Sequence, residues 1–348
     1  MRKSDYLSMV IAAVFLPVFF TGCSNSTADT SQEIPRPVLQ TATERRFVEL
    51  PTKVSARFGV DEDLFYPEEV RVSSQGEVYI SIGKAGKIHK YSPSGELLQV
   101  FGNGPGSGPG EFNSILNFGI DPDGRVWAND TRQRRFTIFN PDGELELTFK
   151  PESYFSQMIN SVAGPIGYYG FQSPFFSVVD SGGRVENRFG RLTESDDEIG
   201  AGMLFVGYLK SAPSGEYFVY VPMNNGKIVS YDANGNLRFY RHSLGGPVSL
   251  EMTRTKDGNL TYDTDRTPMR FQQIALNVWD DVLYMITIQH TSDKMYMDAY
   301  DANNGDYLYS MRVPIYVEEP CAPDFVTDTT IYMLCDSATS LVAKKRVD

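Results

Sequence analysis

A short pattern recurs along this chain and restricts its possible folds more than any other feature. An alternating apolar and polar run leads into a turn that ends in glycine, and a second alternating run follows. Its clearest glycines are Gly95, Gly143, Gly183 and Gly235, which follow one another at intervals of 40 to 52 residues. Hairpin turns need a positive φ, which glycine adopts without steric cost. Alternating runs joined by such turns are typical of half-buried antiparallel strands.

Each repeat carries several of these strand-like runs. Two copies of its first half span residues 70–80 and 118–128, and two copies of its second half span residues 88–97 and 137–145. The later copies are weaker, and no convincing helical stretch interrupts the series. A period of roughly 40–50 residues that holds several strands indicates a radial array such as a propeller.

The number of repeats and the way they close can also be predicted. Turns between the first two strands of each repeat fall near residues 76, 124, 164, 215, 281 and 329, which indicates six units. Residues 56–59 resemble the repeat ends at 99–102 and 186–190, so an N-terminal strand is expected beside residues 341–347. We therefore predict an all-β fold over residues 47–348. It is a six-bladed β-propeller of four-stranded antiparallel blades, with the N-terminal strand completing the last blade. Two ordinary domains are the less favoured division.

One boundary between repeats carries a family resemblance. The glycine-rich run at residues 101–112, followed by a strand that ends in Asp121-Pro122-Asp123-Gly124, is similar to an NHL-type blade boundary. Over about residues 54–347 the chain resembles the six-bladed β-propeller lipoproteins of Bacteroidetes-like bacteria, of the NHL/TolB-like class. The resemblance implies the fold and says little about activity, because propellers host many unrelated functions.

The N-terminus indicates export. Arg2 and Lys3 precede an apolar run, Met9 to Phe20, that is too short to cross a bilayer, for which roughly 20 residues are needed. Thr21-Gly22-Cys23 resembles a bacterial lipobox, in which the cysteine is lipidated. We therefore predict a lipoprotein signal peptide at residues 1–22 and lipidation of Cys23. An ordinary secretory signal with an incidental cysteine is the alternative.

Residues 23–46 are polar, contain proline and lack periodicity, which predicts a flexible tether. Ser24, rather than an aspartate, follows Cys23. By analogy with the enterobacterial sorting rule, this favours the outer membrane over the inner membrane. The predicted location is the cell envelope, with a monomeric domain that is attached to the membrane by its lipid alone.

Two further cysteines, Cys321 and Cys335, flank two short strand-like runs joined near Asp328-Thr329. Folding that segment as a hairpin would bring the two cysteines opposite each other, and export implies an oxidising compartment. We predict a disulfide between them, with two buried free thiols as the alternative. Neither has a cysteine or histidine at metal-ligand spacing, so no metal site is predicted here.

The sequence shows no persuasive catalytic constellation. Its 32 Lys+Arg against 44 Asp+Glu give a net charge of −12, which argues against nucleic acid as a partner. The three histidines, His89, His242 and His290, do not occupy equivalent positions in the repeat, although histidines from separate blades bind zinc in some NHL-like lyases. No nucleophile elbow or phosphate loop is present. We predict no catalytic residue, no metal and no cofactor.

A polar ring at the mouth of the central channel is the best candidate for a ligand site. The residues expected there, close to the start of each repeat's first strand, are Glu69, Asn117, Gln157, Tyr208 and Gln273, with Ala322 in the sixth repeat. The favoured function is a non-catalytic binding or scaffolding module for a protein, peptide or glycan. The alternative is a metal-dependent (Ca or Zn) hydrolase, lactonase or lyase, because gluconolactonase-like propellers hold calcium with acidic and amide ligands at this place.

Overall fold

The computed structural model describes most of the chain beyond its N-terminal segment. The described residues are 34–49, 52–59, 67–170, 173–193, 204–246, 252–254, 256, 260–262, 271–289, 294–313, 321–335 and 340–346. All belong to one compact unit, Glu33–Asp348. The predicted signal peptide and Cys23 lie outside the described residues. Within the described part, no helix has the length and apolar character needed to span a bilayer.

The described domain is a β-propeller of four-stranded antiparallel sheets, five of which are each formed from four consecutive strands. Sheet I contains β2 (Pro67–Val72), β3 (Val78–Ile82), β4 (Lys87–Tyr91) and β5 (Leu97–Phe101). Sheet II contains β6 (Asn117–Ile120), β7 (Val126–Asp130), β8 (Arg135–Phe139) and β9 (Leu145–Phe149). Sheet III contains β10 (Gln157–Ile159), β11 (Ile166–Tyr168), β12 (Phe176–Val179) and β13 (Val185–Phe189). Sheet IV contains β14 (Gly207–Ser211), β15 (Tyr217–Pro222), β16 (Lys227–Asp232) and β17 (Leu237–His242). Sheet V contains β20 (Phe271–Trp279), β21 (Val282–Gln289), β22 (Lys294–Asp301) and β23 (Tyr307–Arg312).

One further four-stranded antiparallel sheet combines strands from the two ends of the domain, and we call it the terminal sheet. It contains β1 (Thr52–Phe58), β24 (Cys321–Val326), β25 (Thr330–Cys335) and β26 (Ser340–Arg346), in the order β1-β26-β25-β24. β1 runs antiparallel to β26, with Phe58 opposite Leu341. A separate two-stranded hairpin, β18 (Met252–Arg254) and β19 (Leu260–Tyr262), lies between sheets IV and V in the chain. A 3-10 helix, Gly83–Ala85, follows β3.

The first strands of the sheets meet in a ring. We call β2, β6, β10, β14, β20 and β24 the inner strands, because each approaches the inner strand of the next sheet and β24 approaches β2. Between the sheets, aromatic rings pack closely. The rings of Phe101 and Phe139, from sheets I and II, have centroids 6.1 Å apart. Burial of such rings contributes roughly 1.5–3 kcal/mol each.

The glycine turns form where the sequence predicts them. Gly95 and Gly143 have φ values of 98° and 87°, and each closes its turn with a hydrogen bond to the carbonyl three residues earlier. A side chain at Gly143 would reach the flexible end of Gln99, in the outer strand of the preceding sheet, which can move aside. A side chain at Gly95 would instead meet the backbone carbonyl of Arg57, in β1, at 2.7 Å. Gly95 is therefore required twice, by the backbone conformation and by the close approach of the neighbouring sheet.

The predicted flexible tether differs from the structure over residues 34–46. Val38 bonds to the outer strand of sheet IV, accepting from the His242 N–H at 2.9 Å and donating to the Tyr240 carbonyl at 2.9 Å. Farther along, Val48 donates to the Ser310 carbonyl of sheet V at 2.9 Å. We call residues 34–49 the strap. Composition alone does not reveal these bonds, because their acceptors lie about 200 residues away in the chain.

Candidate functional site

Side chains of the inner strands bond to the backbone of the next sheet. The Glu69 carboxylate accepts the Phe118 N–H at 3.1 Å, which joins sheet I to sheet II. The Gln157 side chain donates to the Gly207 carbonyl at 2.6 Å and accepts the Leu209 N–H at 3.0 Å, which joins sheet III to sheet IV. Each bond satisfies a buried backbone group that sheet pairing alone would leave without a partner.

Similar bonds from a side chain to the backbone of the next sheet are present on both sides of the terminal sheet. Asn277 of sheet V donates to the Val326 carbonyl at 2.8 Å and accepts the Val326 N–H at 2.9 Å. Asp324 in turn accepts the Val70 N–H of sheet I at 2.6 Å. Between β14 and β20 the described residues show no such bond from a side chain to the backbone. That step, from sheet IV to sheet V, differs from its neighbours.

A charged cluster crosses the space between the inner strands. Lys210 of β14 reaches Glu69 of β2, with 3.0 Å from its Nζ to Oε1. Arg71 pairs with the same carboxylate oxygen, and its guanidinium lies 5.6 Å from the centre of the Phe118 ring. The three charged side chains are only 12–15% exposed. Two cations therefore share one carboxylate in a largely dehydrated place.

Burial and mutual attraction set the charge states of this cluster. Burial acts to raise the pKa of Glu69, but Arg71 and Lys210, with hydrogen bonds from Lys210 and Phe118, outweigh it and hold that pKa below its usual value. Burial, with the neighbouring Arg71, lowers the pKa of Lys210. Burial, with repulsion from Glu69, raises the pKa of Asp324 to about 6. Both carboxylates are thus mostly ionised at neutral pH and face the two cations, and Asp324 is the one that takes up a proton as the pH falls through about 6.

A cavity of about 240 Å³ lies where the inner strands end. All six inner strands contribute to its wall, with Arg71, Gly119, Ile159, Lys210, Asn277 and Phe325. From there it extends between sheets I and II, past Tyr79 and Trp127. It therefore combines apolar walls with a charged inner end.

Most charges on the cavity wall are matched locally. Lys90 pairs with Glu77 at 2.9 Å. Asp121 pairs with Arg125 at 2.7 Å and also accepts the backbone N–H of Asp123 at 3.0 Å. Arg71 and Lys210 differ, because the carboxylate they share lies outside the wall of the cavity. The inner end of the cavity therefore presents two cations.

None of the five predicted ligand residues lines this cavity. Glu69, Asn117 and Gln157 instead hold neighbouring sheets together. The Asn117 amide donates to the Met158 carbonyl of sheet III and accepts from Asn129 at 3.1 Å. The cavity opens at the other end of the inner strands, a few residues farther along each strand.

The remaining two candidates have other surroundings. Tyr208 is half-buried, and burial raises the pKa of its hydroxyl. Gln273 is fully buried, and its amide oxygen and nitrogen find no hydrogen-bond partner in the part of the chain that the structure describes. The predicted polar ring therefore separates into three residues that join neighbouring sheets, one half-buried phenol and one enclosed amide.

Sequence reasoning missed Arg71 and Lys210. Each lies two positions after a predicted candidate, Glu69 or Tyr208, and so points to the same face of its strand. A basic residue two positions after a polar candidate in an inner strand was the available signal. No local pattern could show that residues 69 and 210 meet across the ring.

The histidines that the structure describes lie apart. His89 is in β4, the third strand of sheet I, where its Nδ1 is 3.2 Å from the Tyr91 hydroxyl. His242 is buried in the outer strand of sheet IV, and burial, with the neighbouring Lys227, lowers its pKa. His290 falls outside the described residues. Among those described, no group of three His, Cys, Asp or Glu residues could hold a metal ion.

The strand register places Cys321 directly opposite Cys335 in β24 and β25. The hairpin that the sequence predicts between them is present. Their side chains fall outside what the structure describes, and the disulfide stays a prediction.

Comparisons with known proteins agree on the fold. No family model matches the chain. A stretch of 79 residues is 33% identical to NHL repeat-containing protein 3 of Homo sapiens, covering 22% of this chain and 22% of that protein. The chain thus spans about a fifth of the length of this curated relative.

Among solved structures, a putative exported protein from Bacteroides fragilis matches with a TM-score of 0.59 at 12% identity, over 90% of this chain and 99% of that one. A catalytically inactive virginiamycin B lyase from Staphylococcus aureus, solved with quinupristin, matches with a TM-score of 0.50 at 14% identity, over 86% and 99%. At such identities the likeness concerns the fold alone.

Proposed function

We propose that this chain is an exported, lipid-anchored six-bladed β-propeller that acts as a non-catalytic binding module for a protein, peptide or glycan. The ligand inserts one group into the cavity at the end of the inner strands. The observation that carries this proposal is the cavity itself. Residues from every inner strand converge on it, and the acidic groups on its wall are already committed to ion pairs.

The position of β1 supports the sixth blade. A side chain at Gly143 would meet Gln99 in the outer strand of the preceding sheet, and one at Gly95 would meet the Arg57 carbonyl of β1. β1 thus lies next to the glycine turn of sheet I in the same way as β5, the outer strand of sheet I, lies next to the glycine turn of sheet II. Its antiparallel pairing with β26 supports the assignment of β1 as the outer strand of a last blade.

The envelope location and the lipid follow from the N-terminal sequence. The apolar run that ends at Phe20 and the small residues before Cys23 support export and lipidation, with the outer membrane as the favoured site. Cys23→Ser should release the protein from the membrane fraction, which immunoblotting of fractionated cells would measure. A variant that stays in that fraction would contradict the anchor.

The surroundings of Glu69 disfavour the metal-dependent alternative. A channel metal would need this carboxylate, yet Glu69 already accepts from Lys210 and from the Phe118 N–H, and it pairs with Arg71. A divalent cation placed there would face two fixed positive charges at close range. The likeness to virginiamycin B lyase supports a shared fold and supplies no catalytic group.

A blocked cavity tests the proposal. Ser74 is exposed at the rim of the cavity, so Ser74→Trp should fill its entrance; Ser94→Trp is the matched control on an exposed turn away from the cavity. The purified full chain would be screened against peptides and oligosaccharides, with binding and recovery of unaltered ligand both measured. We expect binding that Ser74→Trp removes and Ser94→Trp retains. Turnover of a ligand that only Ser74→Trp abolishes would instead identify an enzyme.

A further inference from the structure

We infer that the inner end of the cavity binds a carboxylate of the ligand, through Lys210 and Arg71, with the apolar body of the same group lying between sheets I and II. This inference rests on the proposed binding function and names the chemistry of its ligand. A free carboxylic acid and the C-terminal residue of a peptide share that chemistry.

The hydrogen-bonding capacity of Lys210 is the first argument. An ammonium group carries three donors, and among the described residues only one acceptor, Glu69, lies within hydrogen-bond distance of it. The remaining donors are directed away from that carboxylate, and Lys210 is on the cavity wall. A buried ammonium with donors left over favours an anionic acceptor that arrives with the ligand.

The position of Arg71 is the second argument. One of its terminal nitrogens donates to the Val70 carbonyl at 2.7 Å, and the other pairs with Glu69. These bonds, and the Phe118 ring beneath the guanidinium, hold the side chain in place before any ligand arrives. A cation fixed in advance loses little conformational entropy when it binds an anion.

A contrast within the same wall strengthens this assignment. Lys90 also lines the cavity, but it has a carboxylate of its own, Glu77, at 2.9 Å on that wall. The carboxylates near Arg71 and Lys210, which are Glu69 and Asp324, both lie behind the wall. Lys90 is therefore a matched control, a cation in the same cavity whose carboxylate partner lies beside it on the wall.

The size and walls of the cavity define the rest of the ligand. About 240 Å³ is below the roughly 300–1,000 Å³ of sites that enclose a drug-sized molecule. It suits one residue-sized group. Ile120, Pro122, Pro141 and Pro213 supply the accessible apolar surface of its wall, so an aromatic or branched aliphatic body fits better than a polar one.

The test uses two probes that differ in charge alone, N-acetyl-phenylalanine and N-acetyl-phenylalaninamide. Their affinities for the purified full chain would be measured by titration calorimetry at neutral pH. We expect the acid to bind roughly tenfold or more tightly than the amide, since a hydrogen bond to a charged group is lost in the amide. A pair of hexapeptides ending in Phe, one with a free and one with an amidated C-terminus, shows whether a peptide terminus is accepted as well as a free acid.

Two substitutions assign the site. Lys210→Met should lower affinity for the acid roughly tenfold or more and leave the amide unchanged, whereas Lys90→Met should change neither by more than about twofold. Glu69→Gln removes the internal competitor for both cations and should raise affinity for the acid. Circular dichroism would verify that each variant is folded, and the comparison of acid and amide on the native protein needs no variant.

The outcomes separate this inference from the proposed function. Equal binding of acid and amide, or equal effects of Lys210→Met and Lys90→Met, would overturn the carboxylate site. If Ser74→Trp prevents binding of a ligand but Lys210→Met does not change its affinity, the proposed binding function is supported and the carboxylate site is refuted. If Ser74→Trp changes the binding of no ligand, the proposal that ligands bind in the cavity is wrong.

Discussion

Two junctions between neighbouring sheets are held together in different ways. Sheets I and II are joined beside the ring of inner strands by a side chain, since Glu69 accepts the Phe118 N–H. Sheets IV and V have no such side-chain bond from β14 to β20 among the described residues. The Gln273 N–H of β20 donates instead to the Met223 carbonyl, just after β15, at 2.8 Å, and the strap adds bonds at the periphery. There Gln40 donates to the His242 and Gly305 carbonyls, at 2.8 Å and 2.7 Å.

The difference lies in how each inner strand uses its polar side chains. In sheet I, Glu69 accepts a hydrogen bond from the backbone of sheet II and also pairs with the two cations, Arg71 and Lys210. In sheet IV, Lys210 reaches across the ring to Glu69 and so is not available for sheet V. Sheets IV and V are therefore joined near the ring by the backbone bond from Gln273 to Met223 and at the periphery by the strap.

The largest effect is expected where the strap is buried deepest. Arg45 holds Asp298, a fully buried carboxylate of sheet V, through two hydrogen bonds of 3.0 Å and 2.9 Å. Arg45→Met should lower the free energy of unfolding by roughly 3–5 kcal/mol, because it leaves a buried charge without its partner. Urea denaturation of the purified full chain would measure it. Arg46→Met, at an exposed neighbour, should cost less than about 1 kcal/mol. Equal losses would show that the buried pair of Arg45 and Asp298 contributes no more to stability than an exposed residue of the strap.

At a third junction, between the terminal sheet and sheet I, the contribution to the free energy of unfolding should depend on pH. Burial and Glu69 raise the pKa of Asp324 to about 6, above its ordinary value of 3.8. A raised folded-state pKa means that the folded state binds the proton more tightly, so this stabilisation is complete below about pH 4 and is lost as pH rises through 6. Its size is of the order of 3 kcal/mol.

The variant Asp324→Asn isolates that effect, because Asn still offers an oxygen to the Val70 N–H. Subtracting its unfolding free energies from those of the native protein, between pH 4 and pH 7.5, should give a difference that falls as pH rises. A flat difference would mean that Asp324 does not titrate in this window.

At the junction of sheets III and IV, Gln157→Ala removes two bonds to the backbone of β14. We expect a loss of about 2 kcal/mol, from two buried backbone groups left without partners. Thermal unfolding compared with that of Gln133→Ala, which removes a polar side chain that does not bridge two sheets, would check this value. A loss no larger than in the control would deny Gln157 its role in joining the sheets.

The smallest effect is expected for Gln40→Ala, at the periphery of sheets IV and V. It removes three bonds, including one from the Tyr307 N–H at 2.9 Å. The site is only partly buried, so water replaces much of what is lost, and about 1 kcal/mol should follow. Hydrogen exchange at Tyr307 should accelerate, whereas exchange at Phe118 should not. Unchanged exchange at Tyr307 would place the cohesion of sheets IV and V elsewhere.

Local chemistry made much of the fold predictable. The turns at Gly95 and Gly143, the strands on either side of them and the hairpin that sets Cys321 opposite Cys335 all follow from neighbouring residues. The site was less predictable. Glu69 was predicted as a ligand residue at the channel mouth, whereas in the structure it pairs with Lys210, which lies 141 residues away, and no spacing rule connects the two.

The sequence by itself determined the repeat, because alternating side chains and glycine turns act within a few residues of each other. Only the tertiary structure decided which end of the inner strands carries the cavity. It also decided which polar side chains join the sheets and that residues 34–46 lie against sheets IV and V. These features depend on desolvation and on contacts between residues that are distant in the chain, and both exist only once the sheets have packed.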